Sequence, residues 1–173
     1  RVGKAHCPKT GTPLISYSPT SVATFCIKNF SGQRIEILSP IFFPGSSKLL
    51  LLDNPKNLPN IIESLKKEGF VRLYINEKQV RLDELTDISN KKNSKIKIKL
   101  DIRTKIDLGI DRVIVNPNEQ NRLAETFEVA FQRGHGLLKI LLTDQNEKSL
   151  FFSETPANVE SDFYQTDQLS PRM

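Results

Sequence analysis

Few side chains in this sequence are spaced so that they could carry out catalysis. The two histidines, His6 and His135, lie far apart, and neither has a nucleophile or carboxylate at a spacing that suggests a catalytic pair. His135 follows a predicted helix, between Gly134 and Gly136, which favours a role at the helix C-terminus. Cys26 falls on the apolar side of another predicted helix, where a free cysteine usually packs as a small hydrophobic residue. Neither G-x-x-x-x-G-K-S/T nor G-x-G-x-x-G occurs, so we predict no catalytic residue and no phosphate-binding loop.

One segment, around Cys7, has the beginnings of a metal site. His6-Cys7-Pro8, followed by Gly11, looks like half of a zinc knuckle. A structural zinc site takes two ligands from each half, as in C-x-x-C, but the position three residues after Cys7 is Thr10. We interpret Cys7 as part of a degenerate zinc half-site and expect the chain to be free of metal.

A basic stretch from Lys91 to Lys99 offers a different kind of chemistry. Clustered lysines can neutralise the phosphates of a nucleic acid. The stretch has no aromatic residues on which bases could stack, and lysines on the solvent face of an edge strand also prevent unwanted strand pairing. A nucleic-acid-binding module that uses the basic strand 91–105 therefore stays open as the alternative function.

Composition and charge narrow the class of protein. The chain has 173 residues, 38% of them hydrophobic, which suits one domain with extra segments at its ends. It has no apolar run that could span a membrane, no signal peptide, and only two cysteines, so we expect a cytoplasmic protein without a membrane partner. The net charge of +5 permits nucleic acid or an acidic protein as partner. Because the first residue is Arg1, we expect the chain to be a piece of a longer protein.

Three helices are predicted from their end signals and apolar spacing. Ser18 followed by Pro19 marks the start of the first, and Asn116 followed by Pro117 marks the start of the third, with Glu119 at the position of a capping box. The second spans Asn57–Glu68 and is followed by a glycine that can adopt the left-handed conformation of a helix end.

Strands mostly come in neighbouring pairs. Alternating or continuous apolar residues predict seven strands: Arg34–Ile41, Phe70–Ile75, Gln79–Asp83, Lys95–Arg103, Leu108–Val115, Leu137–Leu142 and Ser149–Phe152. The order of helices and strands predicts an α+β domain, with a mainly antiparallel or mixed sheet and about three helices packed on one of its faces.

Several segments, in order along the chain, resemble the UvrA family. The most specific is Leu65–Asn76, which looks like the family pattern L-x-x-x-GFVRVR-x-(D/N)G. Val80–Glu84 then matches V-x-x-LDE, and Arg122–Ala130 matches RLA-(D/E)-(S/T)-x-E-x-A. Further similar blocks are Arg1–Pro8, Arg34–Ile41, Asp111–Val115, Leu150–Glu154 and Leu169–Arg172. The chain departs from the family where zinc-binding cysteine pairs are usual, at 7–11 and 155–159.

The resemblance implies an inserted domain that binds UvrB. Residues 1–17 would be an entry segment from the signature domain, 18–153 the UvrB-binding domain, and 154–173 a polar, poorly ordered exit segment. Intact family members are ABC-type ATPases that dimerise, find distorted DNA and load UvrB at the lesion. ATP, Mg and zinc are therefore expected only in the parent protein. The chain itself is expected to be a monomer without enzymatic activity that meets DNA through its parent.

The family's contact with UvrB is polar and charged, and two of its arginines fall at Arg72 and Arg112. If Val71 and Leu73 point inward on their strand, Arg72 points outward, and a guanidinium suits bidentate pairing with a partner's carboxylate. The two arginines can share one surface if their strands belong to the same sheet with the same side buried. We expect alanine at either position to weaken UvrB binding and to spare the fold.

Overall fold

The structure, a computed structural model, describes residues 15–42, 58–86, 104–143 and 148–155. The described elements follow in chain order: α1 (Pro19–Phe30), β1 (Arg34–Phe42), α2 (Leu58–Lys67), β2 (Arg72–Ile75), β3 (Lys78–Arg81), α3 (Leu82–Thr86), β4 (Ile106–Ile114), a 3-10 turn (Pro117–Glu119), α4 (Gln120–Arg133), β5 (Leu137–Leu142) and β6 (Lys148–Ser153).

The six strands of the described residues form a single sheet in the order β3-β2-β4-β1-β5-β6. Every neighbouring pair is antiparallel, and the long strands β1 and β4 lie at the centre. The prediction of an α+β domain with a mainly antiparallel sheet is confirmed, with four helices in the described residues against the three expected. Within the described ranges, no helix is both long and apolar enough to cross a membrane.

The helices cover one face of the sheet, which we call the helix face. One core joins α1 and α4 to β1, β5 and β6, with Cys26, Phe127 and Ile35 among its fully buried members. A second core places Ile62 and Leu65 of α2 against Leu73 of β2 and the start of β4. Helix α4 buries four apolar residues that recur at helical spacing: Leu123, Phe127, Ala130 and Phe131.

The predicted helix starts are confirmed in their main features. The hydroxyl of Ser18 accepts from the backbone N–H of Ser21, and the hydroxyl of Ser21 accepts in return from the N–H of Ser18, which completes a capping box. Asn116 caps the 3-10 turn that leads into α4 by accepting from the N–H of Asn118. Glu119, predicted as the second member of a capping box there, instead lies 3.5 Å from Arg122.

The β2–β3 hairpin is tighter than predicted. Asn76 and Glu77 alone form its turn, and both have positive φ, as a type I′ turn requires. The predicted strand Gln79–Asp83 is wrong at its end, because the short helix α3 begins at Leu82. Leu82 is fully buried in the second core, and this tertiary contact outweighs the local alternation from which the strand was predicted.

Several sequence predictions fall outside the described residues. They include the degenerate zinc half-site at Cys7, the strand Lys95–Arg103 and nearly all of the basic strand 91–105. The entry and exit segments are described only for residues 15–17 and 154–155. These predictions stay predictions.

The interior position of Cys26 gives the first test. Its side chain is fully buried, and burial raises the pKa of its thiol from 9.0 to about 12. The folded chain should therefore carry roughly a thousandfold less thiolate at this position than a thiol of ordinary pKa. In a Cys7→Ser variant, a thiol reagent at pH 8 should leave Cys26 unmodified until denaturant unfolds the chain. Rapid labelling of the native variant would contradict the buried position.

A polar cluster on the second face of the sheet

The sheet's other face, which we call the second face, carries charged and polar side chains at the positions that alternate with the helix face. It includes Glu36, Leu38, Arg72, Tyr74, Gln79, Asp107, Arg112, Lys139 and Leu141. Its centre is buried, since Leu38, Tyr74 and Leu141 pack together with 5% exposure or less. Charged groups among these apolar side chains need partners, because a buried charge without one is costly.

Glu36 and Arg112 form the first polar pair. They lie directly opposite each other in the pairing of β1 with β4, and Arg112 Nη2 is 2.6 Å from Glu36 Oε1. The side chain of Glu36 is 7% exposed and that of Arg112 is 38% exposed. The pair therefore joins a buried carboxylate to a guanidinium that still reaches the surface.

Tyr74 is the second partner of Glu36 and reaches it from β2, across β4. Its hydroxyl donates to Glu36 Oε2. The ring can cross β4 because Gly109 has no side chain there: a Cβ on Gly109 would lie 3.2 Å from Tyr74 Cε2 and 3.2 Å from Arg72 Cβ. Burial, and next the hydrogen bond to Glu36, raise the pKa of Tyr74 to about 12, so the hydroxyl remains a donor at neutral pH.

Gln79 completes this cluster from the edge strand β3. Its Oε1 accepts from Arg112 Nη2 at 2.8 Å and lies 3.4 Å from the hydroxyl of Tyr74. Four neighbouring strands thus each contribute one side chain, and we call Glu36, Tyr74, Gln79 and Arg112 the Arg112 cluster. An arginine fixed by several acceptors suits the recognition of a carboxylate.

A second ion cluster lies further along the same face. Lys139, 1% exposed, is 3.0 Å from Asp107 Oδ2 and 3.2 Å from Glu77 Oε1 in the β2–β3 turn. Its ammonium also lies 5.3 Å from the ring centroid of Phe151. Burial raises the pKa of Asp107, and the neighbouring ammonium of Lys139 opposes that shift. The contact with Glu77 attaches the turn of the hairpin to the centre of the sheet.

The structure places Arg72 and Arg112 on the same face. Arg72 alternates with Leu73, which is buried on the helix face, so Arg72 shares the second face with Tyr74. Val71 precedes the first residue of β2 and is 51% exposed, while Tyr74, on the second face, is buried. The expectation that alanine spares the fold needs revision for Arg112, because Glu36 depends on it. Arg72 is half-buried and forms no ion pair within the described ranges.

Sequence reasoning missed Glu36, Tyr74, Gln79 and Gly109. Two signals point to some of them. Glu36 is an acidic residue between Ile35 and Ile37 in a strand predicted to be buried, and a glycine within a strand, as at Gly109, often marks a bulge or a close approach. The bulge is present: β1 and β4 shift register between Ile37 and Leu38, next to Gly109. No group of three or more metal-ligating side chains that could hold a metal ion occurs in the described part of the chain.

The unequal roles of the two arginines predict unequal effects on stability. Arg112→Ala would leave the carboxylate of Glu36 buried without a countercharge and should lower the free energy of unfolding by about 1–3 kcal/mol. Arg72→Ala, the matched control on the neighbouring strand, should change it by less than about 0.5 kcal/mol. Urea denaturation of both variants measures the difference. Equal small effects would show that Glu36 does not depend on Arg112.

The crossing of β4 by Tyr74 predicts a cost for any side chain at Gly109. In Gly109→Ala the new methyl group must displace either the tyrosine ring or the backbone of Arg72, which should destabilise the fold by about 1–3 kcal/mol. In a Tyr74→Ala background part of that contact is gone, so the same substitution should cost less. If Gly109→Ala destabilised the wild-type chain and the Tyr74→Ala chain equally, the new methyl group would not be crowded by the ring of Tyr74.

Comparisons with known proteins match the sequence of this chain to one family. The model of the UvrA interaction domain matches residues 18–144. The chain is 31% identical over 151 residues to UvrABC system protein A of Thermus thermophilus, a match that covers 87% of the chain and 14% of that protein. The corresponding protein of Deinococcus radiodurans is 28% identical over 149 residues, covering 85% of the chain and 13% of that protein. That of Clostridium tetani is 26% identical over 173 residues, covering 100% of the chain and 16% of that protein.

The chain thus spans about a seventh of the length of these relatives. The family model covers most of the chain, including β1 to β5 and every charged residue of the two clusters on the second face. The chain therefore belongs to the family of UvrA interaction domains.

Proposed function

We propose that this chain is the protein-interaction domain of a UvrA-type nucleotide excision repair protein, and that it docks UvrB for delivery to damaged DNA. The observation that carries the proposal is the match of an interaction-domain family to a chain whose sheet has Arg72 and Arg112 on one face. The function rests on binding: the domain carries out no reaction of its own.

The second face supplies two arginines in different surroundings for such a contact. Arg112 is held in place by Glu36 and Gln79 and keeps part of its surface exposed. Arg72 lies on the adjacent strand and adds a positive charge that no ion pair in the described ranges neutralises. Carboxylates of a partner can pair with both, and oppositely charged surfaces also speed the encounter of two proteins.

The activities of the whole protein belong to the same proposal. The parent would be an ABC-type ATPase that uses ATP and Mg, holds zinc elsewhere, dimerises, and contacts DNA in the cytoplasm. The isolated domain would be a monomer. Its own donor set does not suit zinc, since Cys7 has Thr10 where a second thiolate would be needed.

Titration with purified UvrB tests the docking function. Calorimetry should show saturable binding, and Arg72→Glu should weaken it by at least about tenfold, because it places a negative charge where the partner's carboxylate binds. Arg122→Glu is the matched control: it makes the same charge change on α4, where the side chain is 66% exposed on the opposite side of the sheet. It should leave the affinity within about threefold of wild type.

Two outcomes would count against the proposal. Absence of heat at tens of micromolar protein would contradict docking, and equal losses for the two variants would move the contact away from the second face. Tight, strongly salt-dependent binding of DNA by the isolated chain would favour the alternative, a nucleic-acid module that uses the basic strand 91–105.

A further inference from the structure

We propose that Gln79 is a positioning residue of the docking surface, and that together with Glu36 it fixes the guanidinium of Arg112 for a carboxylate on the partner. The inference rests on the proposed function and adds a residue to the same site. It also explains why a glutamine suits this position: its side-chain amide accepts a hydrogen bond and carries no charge.

The contacts of Arg112 show how it is fixed. Nη2 donates to Glu36 Oε1 at 2.6 Å and to Gln79 Oε1 at 2.8 Å. Glu36 lies on the neighbouring strand β1, and Gln79 lies on β3, two strands away in the other direction. The guanidinium is therefore held from two sides through one nitrogen. A side chain that is ordered before binding loses less conformational entropy when the partner arrives.

The two acceptors differ in charge, and this difference matters for binding. The carboxylate of Glu36 already balances the positive charge of Arg112. A second carboxylate would give the cluster a net negative charge and would repel an acidic group on the partner. The amide of Gln79 supplies the direction of the hydrogen bond without that charge, and Gln79 is exposed on the same face as Arg112.

Gln79→Glu separates this role from a merely structural one. The substitution keeps an acceptor for Arg112, so thermal stability should be unchanged or slightly higher. Affinity for purified UvrB, measured by calorimetry on the same chain, should fall by at least about tenfold. Gln79→Met, which removes the acceptor and adds no charge, should lower affinity by only about three- to tenfold.

The control is Gln132→Glu, which makes the same neutral-to-negative change at an exposed position of α4. It should bind as wild type does. If Gln79→Met binds as wild type does, Gln79 has no positioning role, and if Gln79→Glu does so, the absence of charge at this position has no role. Either result overturns the inference, although the docking function stands. If the wild-type chain itself does not bind UvrB, the docking function fails first, and the inference falls with it.

Discussion

The carboxylate of Glu36, buried in the middle of a β-sheet, is the constraint on which the second face depends. A carboxylate removed from water must be paired and hydrogen-bonded to avoid a large free-energy cost. Arg112 supplies the countercharge from the directly opposed position on β4, and Tyr74 supplies a hydrogen bond from β2. A slip of one residue between β1 and β4 would turn Arg112 to the helix face, so the pair also helps to specify the strand register.

The contacts that stabilise the buried carboxylate of Glu36 also constrain the neighbouring strands. Tyr74 can reach it only by crossing β4, which requires Gly109 and accompanies the bulge next to it. The same tyrosine brings the β2–β3 hairpin close, and with it Arg72 and Gln79. At the other end of that hairpin, Glu77 contacts the buried Lys139. The hairpin is therefore attached to the sheet at two points, and its exposed polar side chains have defined positions.

The parts of this fold that sequence predicts are those encoded locally. Ser18 caps α1 within one turn, and the apolar residues of α4 repeat at helical spacing, so the start of α1 and the helix α4 were predicted. The burial of Tyr74 on β2 was not predicted, because the alternation rule assumes that one face of the sheet is exposed to water. Both faces of this sheet bury side chains: Leu73 on one and Tyr74 on the other. The two arginines were found by resemblance. Their environments differ because of pairings between strands that are distant in sequence, and a local sequence pattern does not predict such pairings.

Because Arg112 pairs with the buried Glu36 and is also part of the proposed docking surface, an effect of its loss on binding would not measure a single contact. Truncation would remove a donor from the proposed docking surface, leave Glu36 without its countercharge and free Gln79, so a fall in affinity would include reorganisation of the free domain. Arg72 has no such internal role in the described ranges, so its effect on binding reports the interface itself. In the proposed contact, Arg72 would contribute net charge, which salt screens. Arg112, whose charge Glu36 balances, would contribute the direction of a hydrogen bond, which salt affects far less.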